Sequence, residues 1–242
     1  PGRVVRMIGF IGNGPAMRSA LAGVLHGREP DRLRRLVRAG TRVTHTDPDA
    51  ERAAFAVALA AHLASTHRYI APMEFHDRAA QALDSPADAP FRELLLRVCA
   101  GVACGEDVED YCAWRGQRQG ISGYALHTVP VALHVWLRHQ QDYPGAIAEA
   151  VRLGGDTDTT AAIVGGIVGA SVGKIGIPAD WLDGIRDRPR SVQWLESVAA
   201  AAAGTGHAPV ARLPPAEVAA RNLAFMLLVL GHGFRRLLPP YR

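Results

Sequence analysis

A run of small residues behind two closely spaced acids constrains the fold of this chain more than any other feature. Residues 154–158 read Gly-Gly-Asp-Thr-Asp, and a helix-compatible stretch rich in Ala and Gly follows to residue 173. Each interior glycine costs a helix about 1 kcal/mol relative to alanine. Gly165, Gly166 and Gly169 therefore indicate that close packing, and not local helix stability, favours these residues. The segment predicts a buried helix that its neighbours approach almost backbone to backbone.

The rest of the composition predicts an all-α protein. The chain has 242 residues, of which 48 % are hydrophobic and only 6 % aromatic. This is enough apolar surface for one substantial core, so a single domain over residues 1–242 is expected. Alanine-rich segments broken by Gly and Pro, with few alternating strand-like runs, favour helices throughout. Helices are predicted at residues 16–26, 31–38, 50–65, 72–83, 90–104, 108–117, 126–138, 143–153, 158–172, 179–185, 191–203 and 215–237.

Charge and cysteine content exclude several classes of protein. The net charge is +4, but Lys174 is the only lysine and the arginines are interspersed with acids, which argues against nucleic acid as a partner. Cys99, Cys104 and Cys112 lack zinc-site spacing and are interpreted as reduced thiols. No signal peptide pattern and no apolar stretch of about 18 residues are present. A cytoplasmic protein without a membrane partner is predicted.

The two acids at the start of the small-residue helix allow two interpretations. Asp156 caps the helix and Asp158 is a solvated first-turn acid, as in many helices. Alternatively, both carboxylates and the neighbouring hydroxyl of Thr159 form a patch of hard oxygen atoms, the ligands that Mg²⁺ or Mn²⁺ prefers. Gly155 would let the backbone approach a ligand closely.

A second glycine-containing segment lies near the start of the chain. Gly12, Asn13 and Gly14 precede a predicted helix, so free backbone N–H groups and a helix N-terminus would face the same space. Such an arrangement binds a diphosphate. Asn-Gly is also a common turn dipeptide, so a simple turn is the alternative. Arg18, one turn further on, is interpreted as a structural arginine with a buried partner.

Taken together, these segments resemble the ADP-ribosylglycohydrolases of the dinitrogenase-reductase-activating type. The run at 154–162 is similar to the family's C-terminal metal-binding motif, and residues 12–18 are similar to its phosphate loop. Thr-His-Thr-Asp-Pro at 44–48 is similar to the start of its next helix. Residues 123–130 and 232–241 match a bacterial subgroup. All motifs keep the family's order along the chain.

The resemblance implies a fold, a reaction and a set of site residues. It implies a compact orthogonal bundle of helices and metal-assisted hydrolysis of the bond between ADP-ribose and an acceptor. Two Mg²⁺ or Mn²⁺ ions would be the cofactors, with Asp156, Asp158 and Thr159 as ligands. The acceptor, whether an ADP-ribosylated protein or a small ADP-ribose conjugate, stays open. The implied substrate-binding residues are Gly12, Asn13, Gly14, His45, Gly123, Tyr124 and Gly155.

One departure from the family leaves two hypotheses. The family's Gly-Asp-Ala-x-Gly and Thr-Asp-Asp-Thr motifs, which supply the other metal ligands, are missing, and the chain opens at Pro1. The general acid/base is therefore unassigned. The first hypothesis is an N-terminally incomplete hydrolase that is active when complete. The second is a non-catalytic ADP-ribose-binding or structural relative. Asp47, Asp49 and Glu51 are the nearest candidate substitute ligands, although they fit a helix cap and first turn better.

Overall fold

The computed structural model describes residues 11–205, 210 and 212–237, and this part of the chain is all α-helical, as predicted. It forms two compact units, the first within residues 1–177 and the second within residues 178–242. Residues 238–241 of the closing motif lie outside the described residues. The first unit contains α1 Gly14–Met17, α2 Ala20–His26, α3 Pro30–Arg42, α4 Pro48–Thr66, α5 Pro72–Ala82, α6 Ala89–Ala103, α7 Val108–Trp114, α8 Ala125–Arg138, α9 Tyr143–Arg152 and α10 Thr157–Val172.

Helix α4 is the central element of the first unit. It begins after Asp47, whose carboxylate accepts a hydrogen bond of 2.8 Å from the backbone N–H of Asp49. Eight of its alanines are buried, together with Phe55, Val57 and Leu63. Because alanine adds little bulk, neighbouring helices lie close to the α4 backbone. A Cβ atom on Gly23 of α2 would lie 1.8 Å from the carbonyl oxygen of Ala58, so only glycine fits there.

Helix α10 contains the small-residue run and contributes to the core, as predicted. The predicted backbone-to-backbone approach at its glycines is wrong, because side chains of neighbouring helices meet them. Thr160, Ile163, Val164, Ile167 and Val168 are buried in the core. The glycines lie on other faces of the helix and admit side chains of neighbouring helices. A Cβ on Gly165 would lie 3.0 Å from the hydroxyl of Tyr143 in α9, and a Cβ on Gly166 would lie 3.1 Å from Cβ of Ala20 in α2.

The predicted helix at residues 16–26 is two helices in the structure, so that prediction is wrong. α1 ends at Met17 and α2 begins at Ala20. The hydroxyl of Ser19 donates to the carbonyl of Ala16 at 2.9 Å, a local bond that competes with a continuous helix. Arg18 lies at the break. It is exposed rather than paired with a buried group, and it donates to the carbonyls of Gly14 and Gly40.

Helix α8 continues through an internal proline. Pro130 has no N–H group, so the carbonyl of Leu126, one turn earlier, has no helical partner. A guanidinium nitrogen of Arg115 donates to that carbonyl at 3.1 Å. The missing helical hydrogen bond is therefore replaced by a side chain from the preceding segment.

The second unit contains α11 Ala179–Gly184, α12 Val192–Ala202 and α13 Pro215–Arg236. Arg221 of α13 forms an ion pair with Asp187 at 2.9 Å. In the described part of the chain, no helix combines the length and apolarity needed to cross a membrane. The prediction of one domain over the whole chain stays a prediction.

Candidate functional site

Three segments that are distant in sequence meet at one end of α10. Residues 121–124 occupy the middle and pair on one side with residues 11–13. The backbone N–H of Asn13 donates to Gly123 at 3.1 Å, and the N–H of Ala125 donates to Ile11 at 2.8 Å. On the other side, Ile121 accepts from the N–H of Asp156 at 2.7 Å and donates to Gly154 at 3.1 Å. The phosphate-loop-like segment, the Gly-Tyr segment and the Asp-x-Asp segment therefore form one site.

Glycine is required where the second and third segments cross. Gly154 and Gly155 have φ of +71° and +77°, values that favour glycine. A Cβ on Gly155 would also lie 2.2 Å from the carbonyl oxygen of Ile121. Gly120 also lies close to this backbone, because a Cβ on it would lie 2.7 Å from the N of Gly155. The glycines before Asp156 thus admit the backbone of residues 120–121, which the sequence did not indicate.

Asn13 links all three segments through its side chain. It is buried, and its amide nitrogen donates to Asp156 Oδ2 at 2.6 Å and to Thr128 Oγ1 at 3.0 Å. The hydroxyl of Thr128 donates in turn to the carbonyl of Ser122 at 2.8 Å. Because these bonds fix the amide orientation, Asn13 presents a donor to Asp156. Its backbone N–H is occupied by Gly123, so the expectation of a free N–H at this position is wrong.

The carboxylate of Asp156 does not cap its helix. Asp156 occupies the N-cap position of α10, but no helix N–H donates to its side chain. Instead, Oδ1 accepts from the hydroxyl of Thr159 at 2.9 Å. Burial raises the pKa of Asp156, but hydrogen bonds with Asn13, Asp158 and Thr159 outweigh burial and hold that pKa below its usual value. The structure therefore favours an ionised carboxylate held in place by side chains.

Asp158 lies beside Asp156 and is exposed. Its Oδ1 accepts from the backbone N–H of Thr159 at 2.9 Å, and its carboxyl group contacts that of Asp156. Two carboxylates in contact repel each other unless a proton or a cation lies with them. The donor set of Asp156, Asp158 and Thr159 consists of hard oxygen atoms, so its chemistry fits a small divalent cation. Among the described residues, no group of three or more His, Cys, Asp or Glu side chains is placed to hold a metal.

His45 lies against the glycines of the first segment. A Cβ on Gly12 would lie 2.5 Å from His45 Nε2, and a Cβ on Gly14 would lie 3.5 Å from its Cε1. His45 Nδ1 and the hydroxyl of Thr44 are 2.8 Å apart, and Arg18 donates to the same hydroxyl at 2.6 Å. Burial, with a further contribution from Arg18, lowers the pKa of His45. A neutral imidazole therefore lies beside the phosphate-loop-like segment.

Tyr124, which forms an isolated antiparallel β-bridge with Gly12, makes an aromatic pair with His127. Their ring centroids are 4.9 Å apart and the rings are close to perpendicular. His127 Nδ1 lies 2.9 Å from the hydroxyl of Ser122. Both residues are half-buried, so part of each ring remains accessible.

All ten residues expected at the site therefore lie on its three segments or directly against them. Thr128 was not predicted as a site residue, although its hydroxyl links Asn13 to the central segment, residues 121–124. The sequence signal that could have indicated Thr128 is a hydroxyl-bearing residue in the first turn of a largely apolar helix. The substitute ligands proposed above are otherwise engaged: Asp47 caps α4, Asp49 pairs with Arg52 at 2.7 Å, and Glu51 pairs with Arg38 at 3.3 Å.

Comparison with known proteins is consistent with this geometry. The family model for ADP-ribosylglycohydrolase matches residues 3–210. An uncharacterized protein of Archaeoglobus fulgidus is 29 % identical over 194 residues, which cover 77 % of this chain and 56 % of that protein. ADP-ribosylhydrolase ARH3 of Mus musculus is 28 % identical over 200 residues, or 72 % of this chain and 52 % of the relative. ARH3 of Bos taurus is 26 % identical over 200 residues, with shares of 72 % and 53 %.

The chain spans about half the length of the curated relatives that it matches. The match nevertheless includes all three segments of the site and the ten α-helices described in the first unit. This chain belongs to the ADP-ribosylglycohydrolase family.

Proposed function

We propose that this protein, in its full form, removes ADP-ribose from a modified acceptor by metal-assisted cleavage of a glycosidic bond. The observation that carries the proposal is the Asp156 carboxylate, which is held by Asn13 and Thr159 and lies in contact with Asp158. A capping role does not require these side-chain bonds. The names of the ARH3 relatives support ADP-ribose as the group removed. The acceptor is an ADP-ribosylated protein or a small ADP-ribose conjugate.

Asp156, Asp158 and Thr159 would hold Mg²⁺ or Mn²⁺ through oxygen atoms. When bound, such an ion supplies Lewis-acid stabilisation of charge and orients ribose hydroxyls and water. The chain's own contribution is to fix the ligands before substrate arrives. Asn13 holds one oxygen of Asp156 and Thr159 holds the other, so the carboxylate cannot rotate freely. This preorganisation reduces the entropy that binding would otherwise cost.

The other two segments would bind the nucleotide part of the substrate. Gly12 and Gly14 leave room for His45 against the backbone of the first segment, and Arg18 also lies near Gly14. Neutral His45 adds one hydrogen-bonding ring nitrogen there. Tyr124 offers a ring for stacking beside them. Since Gly12 pairs with Tyr124, and Asn13 contacts Asp156, a single ADP-ribose molecule could contact all three segments.

Thermal unfolding in Mg²⁺ or Mn²⁺ tests the metal site. We expect either ion to raise the Tm, and Asp156→Asn combined with Asp158→Asn to abolish that shift, because both charges are removed. The matched control combines Glu109→Gln with Asp110→Asn, which removes two first-turn acids of α7. An unchanged shift in the Asp156 and Asp158 double variant would contradict the metal assignment.

Release of ADP-ribose from modified protein, measured by mass spectrometry, tests the reaction. We expect the full protein to release it in Mg²⁺ and the double variant to release it at least about 10²-fold more slowly. Calorimetric binding of ADP-ribose without any release would instead support the non-catalytic alternative.

A further inference from the structure

A cavity lies between α3 and the beginning of α4, and no residue of the three-segment site lines it. Its volume is about 470 Å³, within the range of small-molecule sites. It has an apolar wall formed by Val37, Pro48, Phe55 and Leu83. Its charged residues are five arginines and three acids: Arg34, Arg35, Arg38, Arg42, Arg52, Asp31, Glu51 and Asp88.

Helix α3 places four of these arginines along one face. Arg34, Arg38 and Arg42 follow each other at intervals of four residues, and Arg35 lies beside them. Like charges at this spacing repel each other and destabilise a helix by a few tenths of a kcal/mol per pair. The stability of α3 therefore does not explain why these four arginines lie on one face.

Some of the cavity's arginines are neutralised by acids. Arg52 donates to Asp88 at 2.6 Å and to Asp49 at 2.7 Å, and Arg38 pairs with Glu51 at 3.3 Å. These ion pairs connect α3, α4 and the turn before α6, so they hold the cavity walls together.

The other three arginines of the cavity are Arg34, Arg35 and Arg42. Arg34 lies over the ring of Phe55, 5.1 Å from its centroid. Among the described residues, no carboxylate lies within 4.0 Å of Arg34, Arg35 or Arg42. Three planar donors of fixed positive charge thus line one concave surface. Guanidinium groups bind phosphate oxygens in a bidentate manner, which gives this surface a defined ligand chemistry.

We propose that this cavity binds a small phosphorylated molecule with a diphosphate or two neighbouring phosphate groups, held by Arg34, Arg35 and Arg42. The site is separate from the proposed ADP-ribose site, although residues 43–47 connect them. Arg42 and Thr46 line the cavity, while His45 between them contacts Gly12. A ligand here would also relieve the repulsion along α3 and therefore stabilise the first unit.

Calorimetry with pyrophosphate as the probe tests the proposal. It is performed on the full protein in the presence of a metal chelator and without ADP-ribose, because the diphosphate of ADP-ribose would compete for the cavity. The Gly12→Ala variant, which impairs the first site, is titrated in parallel to identify any binding there. We expect one pyrophosphate to bind, with an affinity that falls as salt increases. Arg35→Gln combined with Arg42→Gln should weaken binding by about 100-fold, since two charged donors are lost.

The matched control is Arg28→Gln combined with Arg32→Gln, which removes the same charge. Arg28 precedes α3, Arg32 pairs with Glu29 at 3.1 Å, and neither lines the cavity. We expect this control to bind within about threefold of the wild type. An equal loss in both double variants, or no binding by the wild type, would overturn the proposal. Both pairs are exposed, and circular dichroism verifies that each variant is folded.

A second titration with ADP, in the same buffer, identifies the source of the phosphate. Affinity equal to that of pyrophosphate assigns the site to phosphate groups alone, and higher affinity assigns it to a nucleotide. Either result supports the proposal only if the Arg35 and Arg42 double variant no longer binds the ligand. Because release of ADP-ribose is measured in a separate experiment, failure of this site is distinguishable from failure of the proposed hydrolase.

Discussion

At the scale of single residues, two neighbouring glycines differ in what they contribute to the site. Gly154 and Gly155 both have positive φ, so any other residue is strained at either position. Only a Cβ on Gly155 would also clash with a backbone atom, because it would lie 2.2 Å from the Ile121 oxygen. The nearest heavy atom to a Cβ on Gly154 is 3.9 Å away. Substitution of Gly154 therefore tests backbone strain alone, whereas substitution of Gly155 tests backbone strain together with a steric clash.

We expect Gly154→Ala to lower the free energy of unfolding by about 1–2 kcal/mol, the cost of left-handed backbone alone. Gly155→Ala should cost at least about 2 kcal/mol more, because residues 120–121 must move. Urea unfolding measures both. Equal costs would show that the crossing of residues 120–121 and 154–155 is not tight.

The position of His45 depends on the absence of a side chain at Gly12. Gly12→Ala would place a Cβ 2.5 Å from His45 Nε2 and displace the ring, whereas Gly14→Ala leaves 3.5 Å. We expect Gly12→Ala to weaken ADP-ribose binding by about tenfold or more through loss of this contact. We also expect the His45 pKa, followed by NMR, to rise as the ring is hydrated. A His45 pKa that stays at the wild-type value in Gly12→Ala would contradict this arrangement.

At the scale of elements, α8 depends on an arginine outside the helix. Arg115→Leu should cost about 1–3 kcal/mol, because the carbonyl of Leu126 loses its donor. In a Pro130→Ala background the residue at 130 regains an N–H for that carbonyl, so the same change should cost less. A double-mutant cycle by chemical denaturation measures the difference. Additive costs would show that Arg115 acts independently of the proline.

Sequence patterns predicted the long elements well and the contacts between them less well. Helix α4 follows from its Asp47 cap and helix α10 from its small-residue composition, and both are local signals. The break between α1 and α2 escaped prediction because it depends on one serine hydroxyl. Asp156 was predicted as a site residue from its neighbours in sequence, but its bond to Asn13 spans 143 residues. No local pattern encodes such a pairing, and the same holds for the arginine-lined cavity, where Arg34 on α3 lies over Phe55 on α4.

At the scale of the whole molecule, one buried histidine makes stability depend on pH. His134 is fully buried, neither ring nitrogen has a hydrogen-bond partner among the described residues, and the nearest acid, Glu106, is 3.9 Å away. Burial lowers the pKa of His134 to about 4. The folded protein therefore binds this proton less readily than the unfolded chain, whose histidine has a pKa near 6.5. Its contribution to stability is constant above pH 6.5 and is lost as the pH falls toward 4.

We expect the free energy of unfolding to fall by about 2 kcal/mol between pH 7 and pH 5 because of His134. His134→Leu should flatten the curve in this interval and leave the curve above pH 7 parallel to that of the wild type. Denaturant titrations at a series of pH values measure this. A variant with the wild-type slope between pH 7 and pH 5 would assign the dependence to other groups.

The three-segment site also bears on how the molecule folds. Its bonds join residues 115 and 143 positions apart, so closing these loops costs entropy that no local contact offsets. Contacts of such high sequence separation slow the search for the native topology. Binding competence is therefore acquired late, once the chain from Ile11 to Thr160 has reached its final topology. ADP-ribose would be a probe of completed folding, because collapsed species with helices but no crossing of residues 120–121 and 154–155 would not be recognised.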